Sequence, residues 1–293
     1  MAAPELVLDA RAEICEGPVW SPRQRCLYWV DILCGAVHRF DPATGTDRSA
    51  HVPGTVGAVV ERADGGLAVA WQHGFAGFDF ETAALTPWCD PEAHLPGNRF
   101  NDGKCDPSGR FWAGTCPTSA GFQPLGALYV LDAARAATRL VEGVSVSNGL
   151  CWSPDQRTLY FIDTATDRID AYACDPHAAW LGERRTVVAI DRAVHGLLDG
   201  MCIDADGMLW SAHWGGSRVN RWDPRTGRLI QTVTLPVTNV TSCAFGGAGL
   251  DELYITTARL GLNAEQARDQ PLAGGIFRLR TATVGVAPCA FAG

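Results

Sequence analysis

Three oxygen-bearing residues stand immediately before a glycine in closely similar surroundings: Glu16 in CEGPVWSPRQRCLYWVD, Asn148 in SNGLCWSPDQRTLYFID and Asp199 in LDGMCIDADGMLW. Taken singly, each reads as a turn residue, because a short polar side chain before glycine ordinarily bonds nearby backbone. Gathered at one place, two carboxylates and an amide carbonyl would be something else. Carboxylates held together away from water repel each other, and a divalent cation between them relieves the cost of ionising both. Hard oxygen ligands of this kind suit Ca2+, Mg2+ or Mn2+, and Zn2+ is also compatible. Three protein ligands leave positions for water or substrate, the mark of a catalytic ion rather than a structural one.

What could gather residues so far apart is a repeat. Related units begin at Glu16-Gly17, Val56-Gly57, Asp102-Gly103, Asn148-Gly149, Asp199-Gly200 and Thr241-Ser242, with steps of roughly 40 to 51 residues, the period of a four-stranded propeller blade. After each opening strand comes a turn rich in Pro, Asp, Gly and Arg, then a β-rich run such as CLYWVD, FWAGT, LYFID or ELYIT. Turns such as DPATG and DPRTG follow, with Pro fixing φ and Gly taking the left-handed position. The expected fold is all-β: a six-bladed β-propeller of four-stranded blades around a central channel, with residues 1–293 as a single domain. A β-sandwich would not explain a repeat of this length with recurring turn words. Leu6 to Leu8 and the segment beyond Gly275 are expected to complete the last blade, and Asn263 to Asp269 to form a short inserted helix. The first strand of each blade lines the channel, so Glu16, Asn148 and Asp199 converge at one end of it.

The bulk composition agrees with a globular protein. The chain of 293 residues is 47% hydrophobic and 19% charged, enough for a large core and without a biased, disorder-like segment. A formal charge of −8 argues against nucleic acid or an anionic membrane as partner, since either requires a basic face. The start MAAPELVLDARAEI lacks the pattern of a signal peptide, and no run approaches the ~18 apolar residues of a membrane span, so a cytoplasmic protein is expected. The 11 cysteines sit mostly in apolar strand-like runs and read as small buried hydrophobes of a reducing compartment.

The motifs CEGPVW, RFNDGKCDPSGRFWAGT, SNGLCWS, DGMCIDADGMLW, LPVTNVTSCAFGG, ELYITTAR and PLAGGIF, in this order over nearly the whole chain, resemble the regucalcin and gluconolactonase family of sugar lactonases. The resemblance implies a six-bladed propeller with one divalent ion (Ca2+, Zn2+, Mn2+ or Mg2+) that hydrolyses sugar lactones to aldonic acids, an aldonolactonase among the carboxylic ester hydrolases. It also implies Glu16, Asn148 and Asp199 as metal ligands and Arg99 and Asn101 as the substrate-binding pair. Where the animal proteins of the family carry an acidic pair after the Ala-Gly-Thr strand, this chain has Thr118 and Ser119. Asp199 is the candidate general base, with the ion polarising the lactone carbonyl. Arg99 offers a planar fork of donors and Asn101 both donor and acceptor, as a polyol requires. His195 and His213 flank Asp199 as candidate proton shuttles, while Trp71, His73, Trp214 and Phe122 are candidate pocket walls whose default role is packing. Two other readings remain open: an organophosphate-hydrolysing propeller, and a calcium-binding or interaction propeller without turnover.

Overall fold

The computed structural model describes residues 3–119 and 121–293. Residues 1 and 2 and Ala120 of the CPTSAG segment lie outside them. Six four-stranded antiparallel sheets account for nearly all regular structure. Their innermost strands are Cys15–Ser21, Val56–Glu61, Asn98–Cys105, Ser147–Trp152, Leu197–Ile203 and Val240–Gly246. Each packs on the next, and the sixth packs back on the first. The fold is a six-bladed β-propeller.

Burial follows position in the blade. The second strand Cys26–Asp31 is buried at every residue, because a sheet sandwiched between neighbouring blades has no wet face. The outermost strand Thr46–His51, TDRSAH, is mostly exposed or half-buried. Ring closure is as the sequence implies: Glu5–Leu8 pairs antiparallel with Ile276–Arg280 as the outer strand of blade 6. The helix Ala264–Asp269 is present too, with Asn263 and Gln266 forming a reciprocal capping box. Most cysteines are buried in the sheets; Cys34 is exposed, and all eleven are free thiols.

One recurrent word, the Asp closing the second strand, has a mechanical role. Asp31 accepts hydrogen bonds from the Glu13 and Ile14 amides at 3.1 and 3.2 Å, and Asp163 does the same for Ser145 and Val146 at 3.1 and 3.0 Å. Each carboxylate thereby ties down the chain just before an inner strand, two or three residues ahead of Glu16 or Asn148. Asp106 and Asp204, in the turns after the inner strands, are fully buried and accept from the Trp112 and Trp210 indoles at 2.8 and 2.9 Å.

Strand register defines which residues are truly equivalent. Cys15 lies opposite Asp31, Phe100 opposite Thr115, Ser147 opposite Asp163 and Leu198 opposite His213; the register shifts directly after these residues in the last three pairs and one residue later, after Glu16, in the first. The residues that follow, Glu16, Asn101, Asn148 and Asp199, therefore share one height in the channel. The sequence alignment of Asp102 with Glu16 slips by one position: Asn101 is the equivalent residue, and in blade 2 it is Gly57 rather than Val56. A bulge adds a residue without changing the hydrophobic pattern, so the slip is invisible in the repeat.

The glycines beside these positions permit neighbouring inner strands to touch. A Cβ on Gly149 would lie 2.5 Å from the Met201 amide nitrogen and 2.8 Å from the Asp199 carbonyl oxygen, and one on Gly57 would lie 2.6 Å from the Phe100 carbonyl. Gly149→Ala is expected to force blades 4 and 5 apart and to lower stability by about 1 to 3 kcal/mol, read as a fall in the urea midpoint at unchanged slope.

Candidate metal and substrate site

At the channel end where the inner strands begin, Glu16, Asn148 and Asp199 are buried to within 8% of full occlusion. Glu16 bonds the amide of Gly17 at 2.6 Å. The Asn148 amide is oriented by a relay: Nδ2 donates to Thr164 Oγ1 at 3.0 Å, and the Thr164 hydroxyl donates to the Leu198 carbonyl at 2.9 Å. Its carbonyl oxygen Oδ1 is thereby fixed, buried and without a hydrogen-bond partner among the described residues. A buried acceptor left bare costs on the order of 1 to 3 kcal/mol.

The carboxyls tell the same story. Burial, then Asp199 and Asp102, pushes the Glu16 pKa well above the usual carboxylate range. Asp199 is also raised, by burial and by Asp102, with Asn148, Glu16 and Arg99 offsetting part of the rise. Burial raises Asp102 as well, opposed by Lys104. The protein surrounds these acids with too little positive charge to ionise them cheaply. Two buried carboxylates beside an orphaned amide oxygen are the donor set that a hard divalent cation satisfies. Among the described residues, no group of three His, Cys, Asp or Glu side chains is arranged to hold an ion, so the amide oxygen is integral to the set.

Arg99 and Asn101 stand beside this centre. The Arg99 guanidinium donates through one nitrogen to Asn101 Oδ1 at 2.7 Å and to the Phe100 carbonyl at 2.9 Å, while Asn101 Nδ2 donates to the Ser147 carbonyl at 2.8 Å. Asn101 thus stitches blade 3 to blade 4 and holds the arginine at its own height. Thr118 is exposed and donates from Oγ1 to the Gly97 carbonyl at 2.9 Å. Ser119 is exposed.

Other sequence candidates have structural roles. His213 is wholly buried in blade 5, with Nε2 3.0 Å from Ser211 Oγ and 3.2 Å from Asn220 Nδ2. It occupies the register position that Asp31 and Asp163 hold in their blades. His195 stacks near it at 5.9 Å between ring centres, against Trp222. Trp71 packs into the core cluster of blades 1 and 2. Phe122 is exposed, with the Arg192 guanidinium 5.2 Å above its ring. Residues outside the candidate set also bear on the site: Thr164 sets the Asn148 amide, and Asp102, with Lys104 beside it, lies close enough to Glu16 and Asp199 to raise their pKa values. Lys104 Nζ donates to the Met201 carbonyl at 2.8 Å. Below them the channel widens into a cavity of about 340 Å3, walled mainly by apolar side chains and thiols and bordered by the segment 286–289.

The sequence matches the model of the "SMP-30/Gluconolactonase/LRE-like region" over residues 14–259, a span that includes all five proposed site residues. The chain belongs to the SMP-30/gluconolactonase family. Within it, the chain is 40% identical to regucalcin of Xenopus laevis over 99% of this chain and 98% of that one. It is 39% identical to a Bacillus subtilis protein named as a sugar lactone lactonase, YvrE, over 98% of each. A solved family member, a calcium-binding protein, regucalcin, from Agrobacterium tumefaciens, superposes with a TM-score of 0.92 at 29% identity, covering 99% of this chain and 97% of that one. No helix among the described residues is long and apolar enough to cross a membrane.

Two outcomes are expected. Excess Ca2+ or Mn2+ added to chelator-treated protein stabilises it by about 2.7 kcal/mol at a hundredfold excess over Kd, a rise of roughly 5 to 10 °C in Tm. Asp199→Asn abolishes that rise, and in chelator it melts above the wild type because a buried carboxyl with a costly charged form is replaced by a neutral amide; calorimetry checks both. The second concerns His213, whose pKa burial, His195 and Arg218 depress to about 3. Below about pH 6.5 the unfolded chain takes up a proton that the folded one refuses, so stability present above that pH is lost on acidification by ~1.4 kcal/mol per pH unit. Urea unfolding between pH 7 and 4 is expected to show a shallower fall for His213→Gln.

Proposed function

We propose that this protein is a divalent-metal-dependent hydrolase that opens sugar lactones to aldonic acids. The observation that carries the reading is the bare, buried oxygen of Asn148, a residue that like Glu16 meets Asp199, with the Arg99–Asn101 pair alongside. Glu16, Asn148 and Asp199 would hold the ion, which when bound polarises the lactone carbonyl as a Lewis acid and favours Ca2+, Mn2+, Mg2+ or Zn2+ by its oxygen donors. Family membership and the names of the relatives support lactone chemistry.

The chain's own groups supply the rest. Arg99 uses one nitrogen on Asn101 and Phe100, leaving its other N–H donors to grip ring hydroxyls. Asp199 accepts a proton from the attacking water as the new carbon–oxygen bond forms, and returns it to the ring oxygen as the ester bond breaks. The hydroxy acid leaves with all atoms balanced. Burial keeps bulk water from competing for these contacts, which strengthens each of them.

The test is a panel of sugar lactones assayed with each divalent ion after chelation. Asp199→Ala is expected to lower kcat at least a hundredfold with the fold intact by circular dichroism, and Arg99→Ala to act chiefly on KM. Undiminished hydrolysis by Asp199→Ala, or full activity in chelator, removes the proposal. An ion-dependent melting shift without hydrolysis of any lactone favours a calcium-binding role instead, as the name of the Agrobacterium protein suggests for that relative.

A further inference from the structure

Arg99 has a second face. It helps line a pocket of about 180 Å3 whose walls include neither Glu16 nor Asp199 but the turn holding Gln72 and His73 and residues of the 90–96 segment. At about 30 Å3 per water molecule, this space holds roughly six waters, more than a single hydroxymethyl group displaces.

The walls are built rather than incidental. Glu92 is buried and accepts from Asn98 Nδ2 at 2.9 Å, Thr115 Oγ1 at 2.9 Å and the Tyr129 hydroxyl at 3.1 Å. These bonds fix the 90–96 segment against blade 3 and use up the Glu92 carboxylate. On the opposite wall, the Gln72 Oε1 accepts from the Thr55 amide at 3.3 Å, which turns its amide nitrogen over to other acceptors. The His73 imidazole is exposed and held edge-on against the Trp71 indole at 5.0 Å. The pocket therefore presents an amide, an imidazole and the remaining guanidinium donors: the mixture of donors and acceptors that neighbouring hydroxyls need.

Its charge selects further. One guanidinium faces two carboxylates, Asp90 and Glu92, so a phosphorylated arm is repelled and a neutral polyol is not. Arg99 lines this pocket and also donates to Asn101 of the channel end, so one side chain links the two.

Resting on the lactonase reading, the geometry points to a substrate subsite beside Arg99 for the exocyclic diol arm of hexono-1,4-lactones, with Gln72 and His73 as its hydrogen-bonding partners. A pentono-1,4-lactone, whose arm is a lone hydroxymethyl group, leaves the subsite partly filled by water.

The experiment compares a hexono- with a pentono-1,4-lactone on the wild type, Gln72→Ala, His73→Ala and the double variant, and compares binding of the two aldonate products by calorimetry. The wild type is expected to favour the six-carbon lactone about tenfold in kcat/KM. Each single variant is expected to lower that ratio roughly three- to tenfold, mainly through KM, and the double variant to bring it near unity. The calorimetric Kd ratios follow the same order, and a 6-phosphorylated lactone is a poor substrate. A wild-type ratio near unity, or a ratio that the double variant leaves in place, overturns the subsite. If neither lactone is turned over with any ion, the lactonase reading falls, and the aldonate Kd ratios still decide for or against the subsite.

Discussion

The structure depends on one electrostatic constraint: carboxyl groups from distant parts of the chain are brought together where water cannot solvate them. Glu16, Asp102 and Asp199 each reach this place with the charged form disfavoured, chiefly by burial. A protein does not retain such an arrangement for stability, since apolar residues of the same size would pack there at lower cost. Lys104 and Arg99 offset the negative charge only in part, and the Asn148 carbonyl adds a further acceptor rather than a donor. The arrangement makes physical sense around a cation.

Geometry permits this crowding through an economical device. Each inner strand carries a register shift at the channel end, which turns the preceding polar side chain inward. Glycine at Gly149 and Gly57 lets adjacent strands come close enough for those side chains to meet. The tie from Asp31 or Asp163 to the linker amides fixes where the strand begins, so two blades position Glu16 and Asn148 by the same means. In blade 5 the tie is replaced by His213, neutral and buried, and in blade 3 by Thr115, which bonds Glu92 instead. Variation at that one register position separates the blades of Glu16, Asn148 and Asp199 from the one that also shapes a side pocket.

Much of this was legible in the chain. The period of the turn words marks six blades, the leading strand and the terminal one close the ring, and the polar residues before Gly17, Gly149 and Gly200 fall at one height. What the repeat could not show is a one-residue slip. Asp102-Gly103 imitates Glu16-Gly17 in letters, yet pairing makes Asn101 the equivalent, because a bulge changes register without disturbing apolar alternation. Thr164 was hidden for a different reason: its role is to hold another residue's amide across a turn, and that leaves no mark in spacing or composition. Gln72 and His73 gain significance only from the Arg99 side chain that the fold brings next to them.

The outermost strand of blade 6 comes from Glu5–Leu8, while its neighbour in the sheet lies near the other end of the chain, and Glu5 meets Arg278 in an ion pair at 2.7 Å. Among the described strands, the first in chain order therefore pairs with the last. Until that pairing forms, both Glu5–Leu8 and the sixth sheet offer bare hydrogen-bonding edges, the kind of surface on which chains stick to one another. Glu16, Asn148 and Asp199 come from blades 1, 4 and 5, so on the proposed reading their meeting at the channel end, and with it ion binding, would report that the ring has closed.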